Sequence, residues 1–280
     1  MQFKNILVAI AFSPRLEAII SESSRIQKLL QGRLVFLHVG EKTAEKEKIL
    51  RDLLTQYQTT NATILWERGS VVKKILSICQ NQKIDLLLAG ALAKETMLKY
   101  YIGSTARELV RKVACPVLIL ISPSLTPKPF QKIAIHVDEN REFQRSLEMG
   151  FSIARLEKAQ MVYITKEVEI GYFKMLMSQN LNEEEIGRLK SKITNKELEF
   201  IQNLLKNFDV HPIIVKPELL YGKAGFELKN FAQEHSLDLI VLNAPDVSYG
   251  ILGRLFQHDV ENLLEELPCN LLIIKENSKE

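Results

Sequence analysis

Between Asp85 and Ile121 the chain sets out Gly90, then the triplet Gly103-Ser104-Thr105, then a run from about Ala106 to Val113 with Leu109, Val110 and Val113 on one helical face. A glycine followed by hydroxyl residues at a helix start leaves main-chain N–H groups converging on one point, where the helix dipole favours negative charge. Such a start can hold a phosphate. The same letters have a plainer reading, because Thr105-x-x-Glu108 has the form of a capping box, which needs no ligand. The surroundings of the triplet must decide between the two.

Those surroundings are strand-like. Ile84 to Ala89 and Val117 to Ile121 are short continuous apolar runs bounded by Gly90 and by Cys115-Pro116, as expected for strands buried on both faces of a parallel sheet. Earlier in the chain the same alternation recurs. Ile6 to Ala11 reads as a strand, and Ser13-Pro14 opens a helix through roughly Leu30. Leu34 to Val39 is a second strand, Ala44 to Tyr57 a helix, Thr63 to Trp66 a third strand, and Val71 to Asn81 a helix after Gly69-Ser70. Lys4 with the following ILVAIAF faintly resembles a secretory signal, but the run is short and recurs mid-chain, so it reads as a strand.

That recurrence organises the chain. KNILVAIAFS (Lys4 to Ser13) aligns with QKIAIHVDEN (Gln131 to Asn140), setting Ile6 against Ile133 and Ala11 against Asp138. IDLLLAG at Asp85 aligns with LDLIVLN at Asp238, and VACPVLIL at Cys115 with ELPCNLLII at Cys269. The chain is therefore expected to hold two copies of one domain, 1–122 and 131–276, joined by the proline-containing stretch SPSLTPKPF. The second copy is longer in its middle, around a predicted helix from about Glu183 to Phe208. Strands alternating with helices give an α/β class with two doubly wound, open, parallel sheets.

Composition narrows the function classes. Apolar residues make up 46% and charged residues 25% of the 280, a globular balance. A net charge of +3 without basic runs argues against nucleic acid as a partner. No apolar segment approaches the ~20 residues of a membrane span. Cys79, Cys115 and Cys269 are far apart in sequence, without metal-ligand spacing, and read as reduced core thiols of a cytoplasmic protein. Five scattered histidines have no zinc-like spacing.

The repeat resembles the universal stress protein domain. The residues that carry the likeness are ILVAI in the first strand, LVFLHV in the second, Gly69-Ser70 after the third and CPVLIL in the fifth. The family's nucleotide loop, Gly-x2-Gly-x9-Gly-Ser/Thr, reads here as Gly90-Ala-Leu-Ala93, nine residues, then Gly103-Ser104. The resemblance implies two five-stranded sheets of order 3-2-1-4-5, of the adenine nucleotide alpha hydrolase-like type. It also implies an adenine nucleotide (ATP, ADP or AMP, with Mg accompanying ATP) in the first domain. Ala11, Phe12, Ser13 and Val39 would then border adenine and ribose, and Gly90, Ala93, Gly103, Ser104 and Thr105 the phosphates.

Two departures stand out in the first copy: Ala93 replaces the middle glycine, and Ala11 stands where nucleotide-binding members carry an aspartate. The second copy has Asp138 at that place but Asn243, Asp246, Phe256 and Gln257 in place of the loop, so it is expected to stay empty of nucleotide. His136 and Asp138 share a face of their strand near the expected crevice, with His258-Asp259 in the degenerate loop. The implied role is a cytoplasmic, regulatory stress-response protein with no more than slow ATP hydrolysis. The alternatives are an interaction scaffold with decayed sites, or a binder of another small ligand in the second domain. Exposed apolar fifth strands need a partner, so they are expected to pair within the chain as a pseudo-dimer or between chains as a homodimer.

Overall fold

The computed structural model describes residues 3–93, 100–138, 143–169, 183–222, 225–244 and 263–275. Its first half contains β1 (Asn5–Ile10), α1 (Leu16–Leu30), β2 (Arg33–Val39), α2 (Ala44–Gln56), β3 (Ala62–Glu67), α3 (Val71–Asn81) and β4 (Leu86–Gly90). A small hairpin, β5 (Leu92–Ala93) and β6 (Tyr100–Tyr101), then leads to α4 (Ser104–Lys112) and β7 (Val117–Leu120). The second half repeats the plan with β8 (Lys132–His136), α5 (Gln144–Glu157), β9 (Met161–Glu169), α6 (Glu183–Leu205), β10 (Ile214–Gly222), α7 (Phe226–Glu234), β11 (Leu239–Asn243) and β12 (Asn270–Ile274).

The strands form one ten-stranded sheet in the order β10-β9-β8-β11-β12-β7-β4-β1-β2-β3. Each half contributes five parallel strands in the order 3-2-1-4-5, read inward from its outer edge. The expected two five-stranded units are thus fused through their fifth strands. β12 and β7 pair antiparallel, with Leu271 opposite Ile119, Leu272 opposite Leu118 and Ile273 opposite Val117. Antiparallel pairing of two equivalent strands gives a pseudo-two-fold relation about the Leu118–Leu272 pair. It also removes the apolar edges that either half alone would expose.

The repeat is repeated in its hydrogen bonds. Asp85, just before β4, accepts from the N–H groups of Lys4 and Asn5 at 2.9 and 2.8 Å. Asp238, just before β11, accepts from those of Gln131 and Lys132 at 2.8 and 2.9 Å. In both halves one carboxylate pins the start of the first strand to the start of the fourth.

Side-chain alternation sorts the core into two faces. Ile6, Val8 and Ile10 of β1 pack with Leu16, Ile19 and Ile20 of α1 and Leu50 of α2, in a cluster that runs on to Ile133, Phe151 and Leu272 of the second half. Leu7 of β1 and Val35 and Leu37 of β2 pack on the other face with Ile75 and Ile78 of α3 and Leu109 and Val110 of α4. Both clusters continue across the junction. β9 and β10 run on to Glu169 and Gly222, nine residues each. Pro217, lacking an N–H, is tolerated in β10 because that strand is an edge paired only to β9. The stretch between the halves has no regular structure but is held to α1: Ser21 Oγ donates to Leu125 O at 3.1 Å, and the Arg25 guanidinium lies 4.9 Å from the Phe130 ring centre.

Candidate functional site

In open parallel sheets a ligand crevice forms beyond the carboxyl ends of the strands where their order reverses, here between β1 and β4. β1 ends at Ile10, and Ala11 and Ser13, which follow it, are exposed. The Ser13 N–H donates to Ala11 O at 2.9 Å, which turns the chain toward α1. Val39 ends β2 and joins the α3/α4-side cluster, as parity with Val35 and Leu37 requires. Phe12 goes the other way. Its ring stacks on Trp66 at 6.0 Å and meets His38 edge-on at 4.9 Å, with the Lys46 ammonium 5.4 Å from its centre. Phe12 therefore borders the crevice through its main chain, while its ring seals the α1/α2 face.

On the β4 side, Gly90 ends the strand opposite Leu120 of β7. A Cβ on Gly90 would lie 3.1 Å from Ile19 Cδ1, so α1 crosses the strand end closely. Ala93 lies in β5, its Cα paired with that of Tyr100. The hairpin was not expected from the sequence, and it explains why alanine is tolerated here. Strand backbone needs no positive φ, so the glycine of the family motif is not required. Residues 94–99 lie outside the described residues.

The hairpin delivers the chain to α4. Gly103 is its N-cap with φ −65° and ψ 163°, and Ser104 and Thr105 in the first turn are exposed. The capping-box reading fails because the helix starts earlier: its N-cap is Gly103, which has no side chain, so Thr105 lies inside the first turn, and Glu108 pairs with Lys112 one turn on, at 2.5 Å. Hence the first-turn N–H groups of α4 keep the anion-accepting character that a box would have consumed. The extended φ of Gly103 is open to any residue, so what glycine contributes is a lack of bulk.

Two arginines add positive charge. Arg15, immediately before α1, donates to Ala91 O and Ile121 O, each at 2.5 Å, spanning the ends of β4 and β7. Arg107 Nε donates to Ile102 O at 3.0 Å, folding back beside the start of α4. Sequence reading passed over both. The signal was there for Arg15, since a cation at a helix N-terminus opposes the dipole and needs some other partner.

In the second half, Asn243 accepts a hydrogen bond from Ser146 Oγ, and both are buried. His136 Nδ1 lies 3.2 Å from Thr165 Oγ1, and Arg145 donates to Lys275 O at 2.6 Å. Arg145 thus matches Arg15 in reaching the carbonyl just past its own half's fifth strand. Asp138 is half-buried beyond β8. Asp246, Phe256, Gln257, His258 and Asp259 lie outside the described residues.

Residues 2–120 match the model of the universal stress protein family. This part of the chain is similar to that family's domain. The whole chain shares its fold with longer relatives. It covers 98% of itself and 93% of a Pseudomonas aeruginosa PAO1 protein of unknown function, at 18% identity and a TM-score of 0.70. A candidate universal stress protein from P. aeruginosa UCBPP-PA14 matches over the same shares at 18% identity and a TM-score of 0.71. A universal stress protein from Archaeoglobus fulgidus DSM 4304 matches over 98% of this chain and 99% of its own at 14% identity, with a TM-score of 0.64. No curated protein is significantly similar in sequence. A universal stress protein fold thus spans both halves, and among the described residues no helix is long and apolar enough to cross a membrane.

Proposed function

We propose that the protein is a regulatory, cytoplasmic stress-response protein of two universal stress protein domains, 1–122 and 131–276, that binds an adenine nucleotide in the first. The observation that carries this reading is the start of α4. Gly103, Ser104 and Thr105 stand at the motif spacing from Gly90, with exposed hydroxyl residues and no side-chain cap. The first-turn N–H groups and the Ser104 hydroxyl would receive the phosphates, with Arg15 and Arg107 supplying positive charge nearby. Adenine and ribose would lie along Ala11, Ser13 and Val39. An ATP-bound Mg ion would find no protein ligand at Ala11, so its coordination would fall to phosphates and water.

Affinity should be modest. A charged hydrogen bond is worth about 1.5–3 kcal/mol, and alanine at position 11 cannot make it. ATP, ADP or AMP should therefore bind at micromolar Kd or weaker. Ala11→Asp should tighten binding by roughly tenfold or more, since each ~1.4 kcal/mol is tenfold. Titration calorimetry checks this, with Gly103→Val expected to abolish the heat of binding and Asp138→Ala to leave it unchanged. Binding that survives Gly103→Val but is lost in Asp138→Ala would move the site to the second half.

Hydrolysis should be slow, because Ala11 offers no carboxylate to orient water or metal at the phosphates. Phosphate release by the purified chain over hours checks this, and brisk turnover abolished by Ser104→Ala would overturn it. A second reading, ligand binding in the second half, has one observation in its favour: the polar side chains Ser146, Asn243 and Lys166 buried around the end of its sheet.

A further inference from the structure

The fold brings together two thiols that are distant in sequence. Cys79 lies in the last turns of α3, and Cys115 lies between α4 and β7, one residue before Pro116. Both side chains line one cavity of about 470 Å3 and belong to the same apolar cluster. Cys115 is buried and Cys79 half-buried, both in the reduced state. Ile84, Asp85 and Pro116 form the surrounding wall, and Arg145 of the second half closes one side. The antiparallel junction brings Arg145 to this cavity, setting the base of the first half against the crevice end of the second, where Lys275 Nζ lies 3.4 Å from Arg111 O.

We propose that Cys79 and Cys115 are a redox pair that hydrogen peroxide entering this cavity converts to a disulfide, which a thiol reductant reopens. The Cys115 thiolate attacks one peroxide oxygen, the O–O bond breaks, and the leaving hydroxide takes a proton and departs as water. Cys115 is then a sulfenic acid. The Cys79 sulfur attacks the Cys115 sulfur, the S–O bond breaks, and the hydroxide released takes the Cys79 proton as a second water. Two thiols lose two electrons and the peroxide gains them.

The surroundings assign the order of attack. The neighbouring Cys79 thiol holds the Cys115 thiol below its ordinary value, with Lys275 adding a smaller pull while burial and Asp85 oppose. Cys79 is pushed up, first by the Cys115 thiol and then by burial. Cys115 therefore ionises first and is the nucleophile, and Cys79 resolves the intermediate. The new bond would close a ring of residues 79–115, which contains β4, the β5–β6 hairpin and all of α4. Oxidation would thus restrict the segment that carries the candidate phosphate cradle.

Hydrogen peroxide treatment of the folded full chain, followed by unfolding and thiol alkylation, tests this without any nucleotide. One of the three cysteines should remain alkylatable, with a mass loss of about 2 Da, a Cys79–Cys115 linked peptide and full recovery in dithiothreitol. In Cys79→Ser, a sulfenic acid on Cys115 should be trapped by dimedone, while Cys269→Ala should still give the linked peptide. Retention of all three thiols, a link through Cys269, or links only between chains would overturn the assignment.

Discussion

Replacing Arg25 by methionine is expected to destabilise the protein by about 3–5 kcal/mol, the usual cost of removing one partner from a buried ion pair. Arg25 on α1 bonds Glu22 through Nε at 2.8 Å and, across the two halves, Glu157 on α5 through Nη1 at 2.7 and 2.8 Å. The Glu157 side chain is 1% exposed and that of Glu22 8%, so without Arg25 two carboxylates would share a dry site with no cation. The chemical denaturation midpoint of Arg25→Met measures the loss. A change below about 1 kcal/mol would class the triad with ordinary surface pairs. Adding Glu22→Leu and Glu157→Leu to Arg25→Met should recover most of the stability, because an apolar set of similar volume avoids desolvation altogether.

The same triad predicts a pH dependence. Burial raises the carboxyls of both Glu22 and Glu157 above their ordinary value of 4.5, and Arg25 only partly opposes it. The folded chain therefore binds these protons more tightly than the unfolded chain does. Their contribution is fully present below pH 4.5 and is lost as pH rises through the raised folded values. Replacing both by glutamine should flatten that part of the stability profile.

Leu272→Ala is expected to cost about 2–5 kcal/mol, as for other leucines deleted from a packed core, and to lower a single unfolding transition. Leu272 is 1% exposed, lies in β12 and pairs with Leu118 of β7, so the cavity would open at the junction. Both apolar clusters run through this junction, and the Arg25–Glu157 pair ties α1 to α5 above it. The halves should accordingly unfold together. Calorimetry that resolves two transitions, only one of them shifted by Leu272→Ala, would show instead that they unfold independently.

Much of the fold was legible because its signals are local. Apolar runs such as Leu86 to Ala89 can be satisfied only inside a parallel sheet, and glycines such as Gly69 mark turns: its φ of +112° is closed to most side chains. The pairing of Ala11 with Asp138 and of Asp85 with Asp238 exposed the repeat, and the two aspartates proved to make the same clamp in each half. Part of the candidate site was legible for the same reason, since Gly90, Gly103, Ser104 and Thr105 lie on one connection. The hairpin that accommodates Ala93 was not, because two-residue strands carry no periodicity.

By itself the sequence determined that this is a doubled α/β chain with a phosphate-suited helix start in its first copy, since strand burial, helix starts and internal likeness are written in neighbouring residues. The tertiary structure alone decided how the copies meet. Which edge pairs with which depends on surfaces distant in the chain, and so do the contacts that follow from it. Arg25 finds Glu157, and Arg15 finds Ala91 and Ile121, only once the sheet is assembled. Cys79 and Cys115, read from sequence as separate core thiols, become neighbours because α3 and the entry to β7 pack on the same face of the sheet.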